Sequence, residues 1–230
     1  MNVAAILAGG IGERLGLGMP KQFYCINNKP LLVYCTEKFV EIDELDLIIV
    51  SSPVEYINKT KQIMEEFFND PRIVVIEGGV TRNDTILNSI NYAIENGADE
   101  ESIMVTHDGA RIFVSPDLIR DSINFALKYG VASPVIPSTD VIFKFNNNEL
   151  IDVPERKYLC RAQTPQSFNI SKFLEIYNDL SDDEIKLLDE AMVLFNLRNE
   201  YVYLFEGDSS NFKITLPFDI HIAKAMINLL

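Results

Sequence analysis

Residues 3–22 read VAAILAGGIGERLGLGMPKQ. The apolar run Val3–Leu7 predicts a buried β-strand, and the chain passes from it directly into a glycine-rich segment. Glycines let backbone N–H groups turn inward and approach a phosphate closely, which forms a nest for an anion. Arg14 and Lys21 add two positive charges to the same segment. The stretch therefore predicts a strand followed by a polyphosphate-binding loop. Taken alone, the loop is also compatible with a glycine turn that is needed only for packing.

The spacing of this loop excludes two other phosphate-binding motifs. Gly10, Gly12 and the next glycine do not keep the G-x-G-x-x-G register of dinucleotide-binding proteins. No acid follows the second predicted strand, where a ribose would be held, because the chain has Ser51–Pro53 there. A Walker A loop is absent because Lys21 lacks both the preceding glycine and the following Ser or Thr.

Apolar, β-branched runs alternate with segments of helical period along the rest of the chain. Strands are predicted at Val3–Leu7, Asp46–Ser52, Arg72–Ile76, Ser102–Thr106, Val131–Ile136 and Tyr201–Phe205. Helices are predicted at Pro30–Val40, Val54–Phe68, Thr81–Glu95, Pro116–Tyr129, Ser171–Asp179 and Glu184–Leu197, with a last helix from Pro217. This alternation is typical of a three-layer α/β fold with a mostly parallel, twisted sheet. Chemistry is therefore expected in the loops at the carboxyl ends of the strands.

One stretch departs from this alternation. Val141–Phe145 and Leu150–Val153 flank three asparagines, a pattern that predicts a β-hairpin. The hairpin is too short to form a domain, so it is either a simple excursion or an arm that packs on a second subunit. We assign residues 1–230 to one domain and residues 138–160 to a β-arm for dimerisation.

The net charge of −14 sets a condition for any phosphate-binding function. Such a chain does not bind nucleic acid or an anionic membrane through its overall field, so a phosphorylated substrate needs a local basic cluster. No apolar run approaches the ~20 residues of a membrane span, and the N-terminus lacks the basic region of a signal peptide. Cys25, Cys35 and Cys160 form no C-x-x-C pair, which favours reduced cysteines in a cytoplasmic protein over a zinc site.

Four further motifs follow the glycine-rich loop. They are GGVTR (78–82), THDGAR (106–111), QTPQSF (163–168) and GDSSNFKIT (207–215). In this order, and with LAGGIGERLG and PKQ before them, they resemble the cytidylyltransferases of the methylerythritol-phosphate and ribitol-phosphate type over nearly the whole chain. The resemblance implies a Rossmann-like nucleotidyltransferase fold, a Mg²⁺ cofactor, and a reaction that joins CTP to a polyol phosphate with release of pyrophosphate. It also implies a homodimer.

The chemistry of this reaction calls for cations rather than for a general base. The attacking group is a phosphate monoester, which is largely dianionic near pH 7 because its second pKa is about 6. The enzyme must align two anions and stabilise charge on the α-phosphate and on pyrophosphate. The resemblance implies Arg14, Lys21 and Lys213 as the catalytic cations.

The resemblance also implies the binding residues. Contacts with CTP are expected from Leu7, Ala8, Gly9, Gly10, Gly12, Gly79, Arg82, Thr85, Asp108 and Gly109. Contacts with the acceptor are expected from Arg111, Asp140, Arg156 and Thr164, with Arg156 reaching from the arm, often across a dimer. Asp108 is the expected Mg²⁺ ligand, whereas His107 is expected to be structural because its side chain points the opposite way. The motif loops hold seven of the 20 cations, which meets the charge condition: Arg14, Lys21, Arg82, Arg111, Arg156, Arg161 and Lys213.

Four positions depart from the family pattern. Ile112 stands where proline is frequent, Val141 where threonine follows Asp140, Leu188 where Ser or Thr is usual, and Gly109 where alanine is usual. If the acceptor pocket lacks these two side-chain hydroxyls, the binding free energy of a tetrol phosphate is weakened by ~1–3 kcal/mol for each polar group left unpaired. The hydroxyl of Thr139 could supply a replacement hydrogen bond. With the LAGG opening and the QSFNI ending, these departures favour ribitol 5-phosphate or a related polyol phosphate, and hence CDP-polyol supply for a bacterial surface polymer.

Three other functions stay open. The methylerythritol-phosphate enzyme of isoprenoid synthesis differs in its acceptor, and Val141 and Leu188 count against it. A sugar-1-phosphate nucleotidyltransferase would use UTP or dTTP, and the PKQ and QTPQ motifs disfavour it. A non-catalytic CTP-sensing protein would be indicated by loss of Lys21, Asp108 or Lys213, and all three are present.

Overall fold

The structure is a computed structural model that describes residues 1–9, 19–186 and 191–229. The predicted site residues Gly10, Gly12 and Arg14 lie outside these ranges, and so does Leu188. Within the ranges, no helix is long and apolar enough to cross a lipid bilayer.

The strands and helices alternate through most of the chain. The strands are β1 (Asn2–Leu7), β2 (Cys25–Ile26), β3 (Lys29–Pro30), β4 (Leu47–Ser52), β5 (Ile73–Glu77), β6 (Ile103–Asp108), β7 (Val131–Pro137), β8 (Lys144–Asn146), β9 (Glu149–Asp152), β10 (Cys160–Ala162), β11 (Gln166–Asn169) and β12 (Tyr203–Glu206). The helices are α1 (Leu31–Val40), α2 (Ile57–Phe67), α3 (Arg82–Glu95), α4 (Pro116–Tyr129), α5 (Ile170–Asn178), α6 (Asp182–Lys186), α7 (Ala191–Leu197) and α8 (Pro217–Ile227).

The described residues form a central sheet of eight strands in the order β10-β7-β11-β6-β1-β4-β5, and β12 also pairs with β7. Strands β6, β1, β4 and β5 are parallel, and β12 is parallel to β7. Strand β11 runs antiparallel between β6 and β7. The sheet is therefore mixed but mostly parallel, which confirms the α/β fold that the alternation predicts.

Both faces of the sheet are covered by helices. Along β1, Ala4 and Ile6 belong to one buried cluster with residues of α1, α4 and α8, while Val3 and Ala5 belong to a second with residues of α3, α5 and α7. Alternate side chains of a strand point to opposite faces, so each strand contributes to both layers. The result is the predicted three-layer arrangement, in which parallel strands β1, β4, β5 and β6 end at one edge.

The main differences from the sequence predictions have local causes. Strand β11 is not predicted, because Gln166 and Ser167 are polar although they are fully buried in the sheet. The helix predicted at Val54–Phe68 begins at Ile57, after a 3₁₀ turn over Val54–Tyr56. The helix predicted at Glu184–Leu197 corresponds to α6 and α7, and residues 187–190 lie outside the described ranges.

The predicted hairpin is present as β8 and β9. Its turn residues Asn147 and Asn148 have φ angles of 44° and 67°. Asparagine tolerates this left-handed region, which tight hairpin turns require. The turn of the hairpin therefore lies at the asparagine run, as the sequence predicts.

Candidate active site

A cavity of about 600 Å³ opens at the edge where the parallel strands β1, β4, β5 and β6 end. The predicted CTP contacts that the structure describes all line it: Leu7, Ala8, Gly9, Gly79, Arg82, Thr85, Asp108 and Gly109. Lys21 and Lys213, predicted to be catalytic, line it as well. Residues from distant parts of the chain thus meet in one place because successive strands end there.

The start of the glycine-rich loop is fastened to the sheet by three hydrogen bonds. The amide of Ala8 donates to the Ser51 carbonyl at 3.2 Å, and the amide of Gly109 donates to the Leu7 carbonyl at 3.1 Å. The buried amide Nε2 of Gln22 donates to the Ala8 carbonyl at 2.7 Å. Gln22 thereby ties the PKQ motif to the end of β1, a role that the sequence analysis missed.

The opposite wall is the amino end of α3. Thr81 caps this helix, and its side-chain oxygen accepts from the Asp84 amide at 3.1 Å. Thr85 Oγ1 accepts from the Gly79 amide at 3.0 Å and donates to the Thr81 carbonyl at 2.9 Å. A Cβ on Gly79 would lie 2.7 Å from the Thr85 nitrogen, so only glycine fits. The positive end of the helix dipole therefore faces the cavity.

Three cations surround the carboxylate of Asp108. Its Oδ2 lies 3.1 Å from Arg111 Nε and 3.1 Å from Lys213 Nζ. Its Oδ1 lies 3.6 Å from an Arg82 nitrogen. Burial raises the pKa of Asp108, but Arg82, Lys213 and Arg111 outweigh burial and hold that pKa far below its usual range. Asp108 is therefore ionised wherever the enzyme is folded and active.

The two Nη donors of Arg82 in this cluster are available to a ligand. Among the described residues, Arg82 Nη1 and Nη2 are buried and have no hydrogen-bond partner. Buried N–H donors without hydrogen bonds are costly, and the 3.6 Å ion pair with Asp108 is too long to be a hydrogen bond, so their place at the cavity wall fits an anionic or carbonyl ligand. Lys21 comes from the 3₁₀ turn after the loop, and its Nζ donates to the Ile214 carbonyl at 2.9 Å. The amine of Lys21 thus lies beside the segment that carries Lys213.

Two of the predicted acceptor contacts, Arg111 and Thr164, do not line the cavity. Arg111 Nη1 donates to the Asn211 carbonyl at 2.9 Å. Thr164 is 1% exposed, and its Oγ1 accepts from the Asp108 amide at 3.1 Å. The same hydroxyl lies 3.0 Å from His107 Nδ1. In this structure the Thr164 hydroxyl is therefore engaged within the protein and supports Asp108.

The other two predicted acceptor contacts lie at the base of the arm. Asp140 and Arg156 are exposed, and neither lines the cavity. Arg156 Nη1 donates to the Thr139 carbonyl at 3.2 Å. The chain by itself does not bring these two residues to the nucleotide cavity.

His107 is fully buried and connects two elements of the site. Its Nε2 lies 3.0 Å from the Arg111 carbonyl. Because the Arg111 carbonyl can only accept, the ring hydrogen is on Nε2, and Nδ1 of the neutral ring then accepts from the Thr164 hydroxyl. Burial lowers the pKa of His107 to about 4, so the ring is neutral at physiological pH.

We expect acidification to destabilise the protein through His107. Its pKa is lowered on folding from 6.5 to about 4. The unfolded chain therefore binds the extra proton first, and the free energy of unfolding falls as pH drops from 6.5 towards 4, by roughly 3 kcal/mol in all. Urea unfolding at pH 7 and at pH 4.5 measures this loss.

Two histidine variants accompany this experiment: the first is the test of His107, and the second is its matched control. His107→Gln should flatten the slope between pH 7 and 4.5, whereas His221→Gln, at an exposed position, should keep it. An unchanged slope in His107→Gln would contradict the assignment.

The cavity offers a limited donor set for a metal ion. Among the described residues, no group of three His, Cys, Asp or Glu side chains is arranged to hold one. Asp108 is the carboxylate that lines the cavity. Mg²⁺ is commonly bound by one or two carboxylates together with substrate phosphates and water. The site therefore fits a Mg²⁺ ion that arrives with the nucleotide better than one held by the protein alone.

The α/β fold, together with a cavity at its strand ends that is lined by the amino end of α3 and by clustered cations, fits the nucleotidyltransferase class that the resemblance implies. The family model described as IspD, 2-C-methyl-D-erythritol 4-phosphate cytidylyltransferase, matches residues 2–229. The chain therefore belongs to this family of cytidylyltransferases. Its reaction class is CTP-dependent cytidylyl transfer, as the resemblance implies.

Solved structures of similar fold come from several bacteria. The 4-diphosphocytidyl-2C-methyl-D-erythritol synthase of Anaerococcus prevotii is 24% identical, with a TM-score of 0.80 over 99% of this chain and 96% of that chain. The 2-C-methyl-D-erythritol 4-phosphate cytidylyltransferase of Francisella tularensis is 23% identical, with a TM-score of 0.82 over 97% and 98%. The corresponding enzyme of Thermus thermophilus is 25% identical, with a TM-score of 0.74 over 99% and 98%.

Proposed function

We propose that the acceptor of this cytidylyltransferase is an acyclic polyol phosphate, with ribitol 5-phosphate as the first candidate, and that the products are a CDP-polyol and pyrophosphate. The observation that supports this acceptor is the side chain at position 141. Val141 is 59% exposed beside Asp140, where the family usually has a threonine hydroxyl. If this position contacts the acceptor, an acceptor with a different pattern of hydroxyl groups pairs better with a valine there than a methylerythritol phosphate does.

The other departures from the family pattern carry less weight. Ile112 is 3% exposed and belongs to the core, so its replacement of proline concerns packing. A Cβ on Gly109 would lie 3.4 Å from Ala8, Ile6 and Leu7 atoms, which is ordinary contact, so alanine would fit there too. Position 188 lies outside the described residues. The proposal therefore depends on Val141.

The second candidate acceptor is 2-C-methyl-D-erythritol 4-phosphate. The matching family model and the structures from Francisella tularensis and Thermus thermophilus carry this substrate in their names, and the structure from Anaerococcus prevotii is named for its cytidylylated product. The two candidates share the nucleotide, the leaving group and the catalytic cations. They differ in how the acceptor's hydroxyl groups are paired.

The proposed mechanism depends on positive charge and alignment. An oxygen of the acceptor phosphate attacks the α-phosphorus of CTP, and the bond to the bridging oxygen breaks as pyrophosphate leaves. Lys213 and Lys21 stabilise the negative charge that develops on the α-phosphate and on pyrophosphate, and the Nη donors of Arg82, which make no hydrogen bond among the described residues, hold the nucleotide. Asp108 would help to hold a Mg²⁺ ion together with the nucleotide phosphates, and the ion would supply neutralisation of phosphate charge there. The role implied for Arg14 stays a prediction.

We also propose that the arm pairs two copies of the chain. Its large apolar side chains are exposed, among them Phe143 at 61% and Phe145 at 70%. Others are Val141, Ile142, Leu150, Ile151, Val153 and Tyr158. Phe143, Phe145 and Leu150 lie together around one open depression, and exposed apolar side chains grouped in this way support an interface. A second copy would cover these side chains and would place its Arg156 nearer to the partner's cavity.

Pyrophosphate release from CTP with Mg²⁺ tests the acceptor. The panel contains ribitol 5-phosphate, 2-C-methyl-D-erythritol 4-phosphate, longer alditol phosphates, glycerol phosphate and sugar 1-phosphates, with UTP and ATP as base controls. We expect the highest kcat/KM with CTP and ribitol 5-phosphate, by about tenfold or more over methylerythritol phosphate, since one unpaired polar group costs ~1–3 kcal/mol. A preference for methylerythritol phosphate would establish the second candidate instead.

A further inference from the structure

The loop between β12 and α8 carries Lys213 but has little regular structure. Residues 207–216 contain no strand or helix, so ladder hydrogen bonds do not fix the position of this lysine. Its Nζ nevertheless lies 3.1 Å from Asp108 Oδ2 at the end of β6. Contacts from neighbouring elements must therefore position the loop.

Gln163, just before β11, makes the most extensive of these contacts. Its Nε2 donates to the Asp208 carbonyl at 2.7 Å and to the Asn211 carbonyl at 3.3 Å. Its Oε1 accepts from the Asp208 amide at 3.1 Å. The side chain is 3% exposed, so water does not compete for these bonds. A carboxamide is the one neutral group of this length that both donates twice and accepts here.

Close packing supports this arrangement. Gly207 opens the loop, and a Cβ there would lie 3.3 Å from the Gln163 carboxamide carbon and 3.3 Å from the Val135 carbonyl oxygen. The Gly207 amide also donates to that Val135 carbonyl at 2.9 Å. The loop thus leaves the sheet directly against the Gln163 side chain, and glycine permits the approach.

We propose that Gln163 is a positioning residue for the reaction, because it holds the loop that presents Lys213 to the α-phosphate. The inference deepens the proposed cytidylyl transfer and depends on Lys213 acting there. Gln163 itself lies behind the loop and does not line the cavity. Its loss should therefore slow the chemical step more than it weakens nucleotide binding.

Other bonds keep the loop attached to the sheet when Gln163 is changed, but they do not replace the two bonds that Gln163 makes with the Asp208 backbone. Asn211 Nδ2 donates to the Thr164 carbonyl at 2.7 Å, and Arg111 Nη1 donates to the Asn211 carbonyl at 2.9 Å. The Ile214 amide donates to the Ala110 carbonyl at 2.9 Å. A Gln163 variant should therefore fold with its loop attached but with the Lys213 amine less well placed.

The test uses Gln163→Glu and Gln163→Met. Ionised glutamate keeps the length of glutamine and loses both donors, while methionine loses donors and acceptor without adding charge. At pH 8 we expect kcat to fall about 10²-fold in both variants, as for a small misplacement of a reacting group. KM for CTP should stay within about threefold of wild type, since binding contacts are retained.

The pH profile separates a missing hydrogen bond from a general packing defect. A carboxyl group buried against the Asp208 and Asn211 carbonyls has a raised pKa, because its charged form is disfavoured. As pH falls, the glutamate variant regains an O–H donor, so its kcat relative to wild type should rise between pH 8 and 6. The methionine variant has nothing to protonate, and its relative kcat should stay constant. Asp208 and Arg111 are the charged neighbours, and both variants retain them.

An acceptor-independent measurement accompanies the kinetics. Competitive acetylation of lysines, read by mass spectrometry, reports how firmly Lys213 is held against Asp108. Its rate relative to that of exposed Lys128 should increase in both variants. Wild-type kcat in the variants, loss confined to KM, recovery of the methionine variant at low pH, or unchanged Lys213 labelling would each overturn the inference. If wild type releases no pyrophosphate, the proposed acceptor fails, and the labelling still decides the role of Gln163.

Discussion

Lys213→Ala should lower kcat by about 10²–10³-fold, the usual effect of removing one preorganised charge from a transition state. Lys213 Nζ approaches the cavity beside Asp108, at 3.1 Å from its Oδ2. Under the proposed mechanism the loss falls mainly on kcat, because the additional charge that Lys213 would stabilise develops on the α-phosphate during transfer. Steady-state pyrophosphate release with saturating CTP measures the loss. Thermal unfolding should show that the variant stays folded.

Two further lysine variants make this result specific. Lys21→Ala should lower kcat by a similar factor, since Lys21 lines the same cavity and lies beside Ile214. Lys128→Ala changes an exposed lysine of α4 and should leave kcat unchanged. Near-normal rates in both Lys21→Ala and Lys213→Ala would overturn the mechanism.

The proposed dimer should separate into monomers when a charge is placed on the arm. Phe143 is 61% exposed in the single chain, and glutamate at this position would be buried without a partner if a second copy covers the arm. Light scattering of Phe143→Glu at assay concentration should therefore give a monomer where wild type gives a dimer. Lys144→Glu, at an exposed neighbouring position, is the matched control for added charge. A wild-type monomer would remove the arm as an interface.

Mixing two inactive variants shows whether Arg156 acts on its own site or on the partner's. Lys213→Ala disables the site of its own chain. If Arg156 contributes across the dimer, a mixed dimer of Lys213→Ala with Arg156→Ala contains one complete site. Mixing should then restore up to about a quarter of wild-type activity, since half of the dimers are mixed. No restoration after subunit exchange would place Arg156 in its own site.

The sequence predicted those strands and helices whose apolar residues form a regular pattern along the chain. Strands β1, β4 and β6 are apolar on both faces and stand out as short β-branched runs. The motif loops that follow them meet at one edge because parallel strands end together. That geometry explains why Lys21, Gly79, Asp108 and Lys213 line one cavity although they are far apart in the chain.

Polar structure in the interior was not predictable in the same way. Strand β11 is buried, yet Gln166 and Ser167 give it no apolar pattern. The amides of Gln22 and Gln163 hold backbone segments by hydrogen bonds to partners that no spacing rule reveals. For Thr164, the sequence indicates a hydroxyl near the acceptor, but only the structure shows that this hydroxyl bonds to Asp108 and His107.

The surroundings of Asp108 also bear on how the site empties after each reaction cycle. In the part of the chain that the structure describes, Arg82, Arg111 and Lys213 surround this carboxylate. An internal counter-ion of this kind competes with every anion that enters or leaves. Under the proposed mechanism, we expect the carboxylate to pair with these cations again when pyrophosphate leaves, so that the departing product is replaced by a fixed negative charge. We therefore expect a site with the same cations but without Asp108 to hold pyrophosphate more tightly and to turn over more slowly.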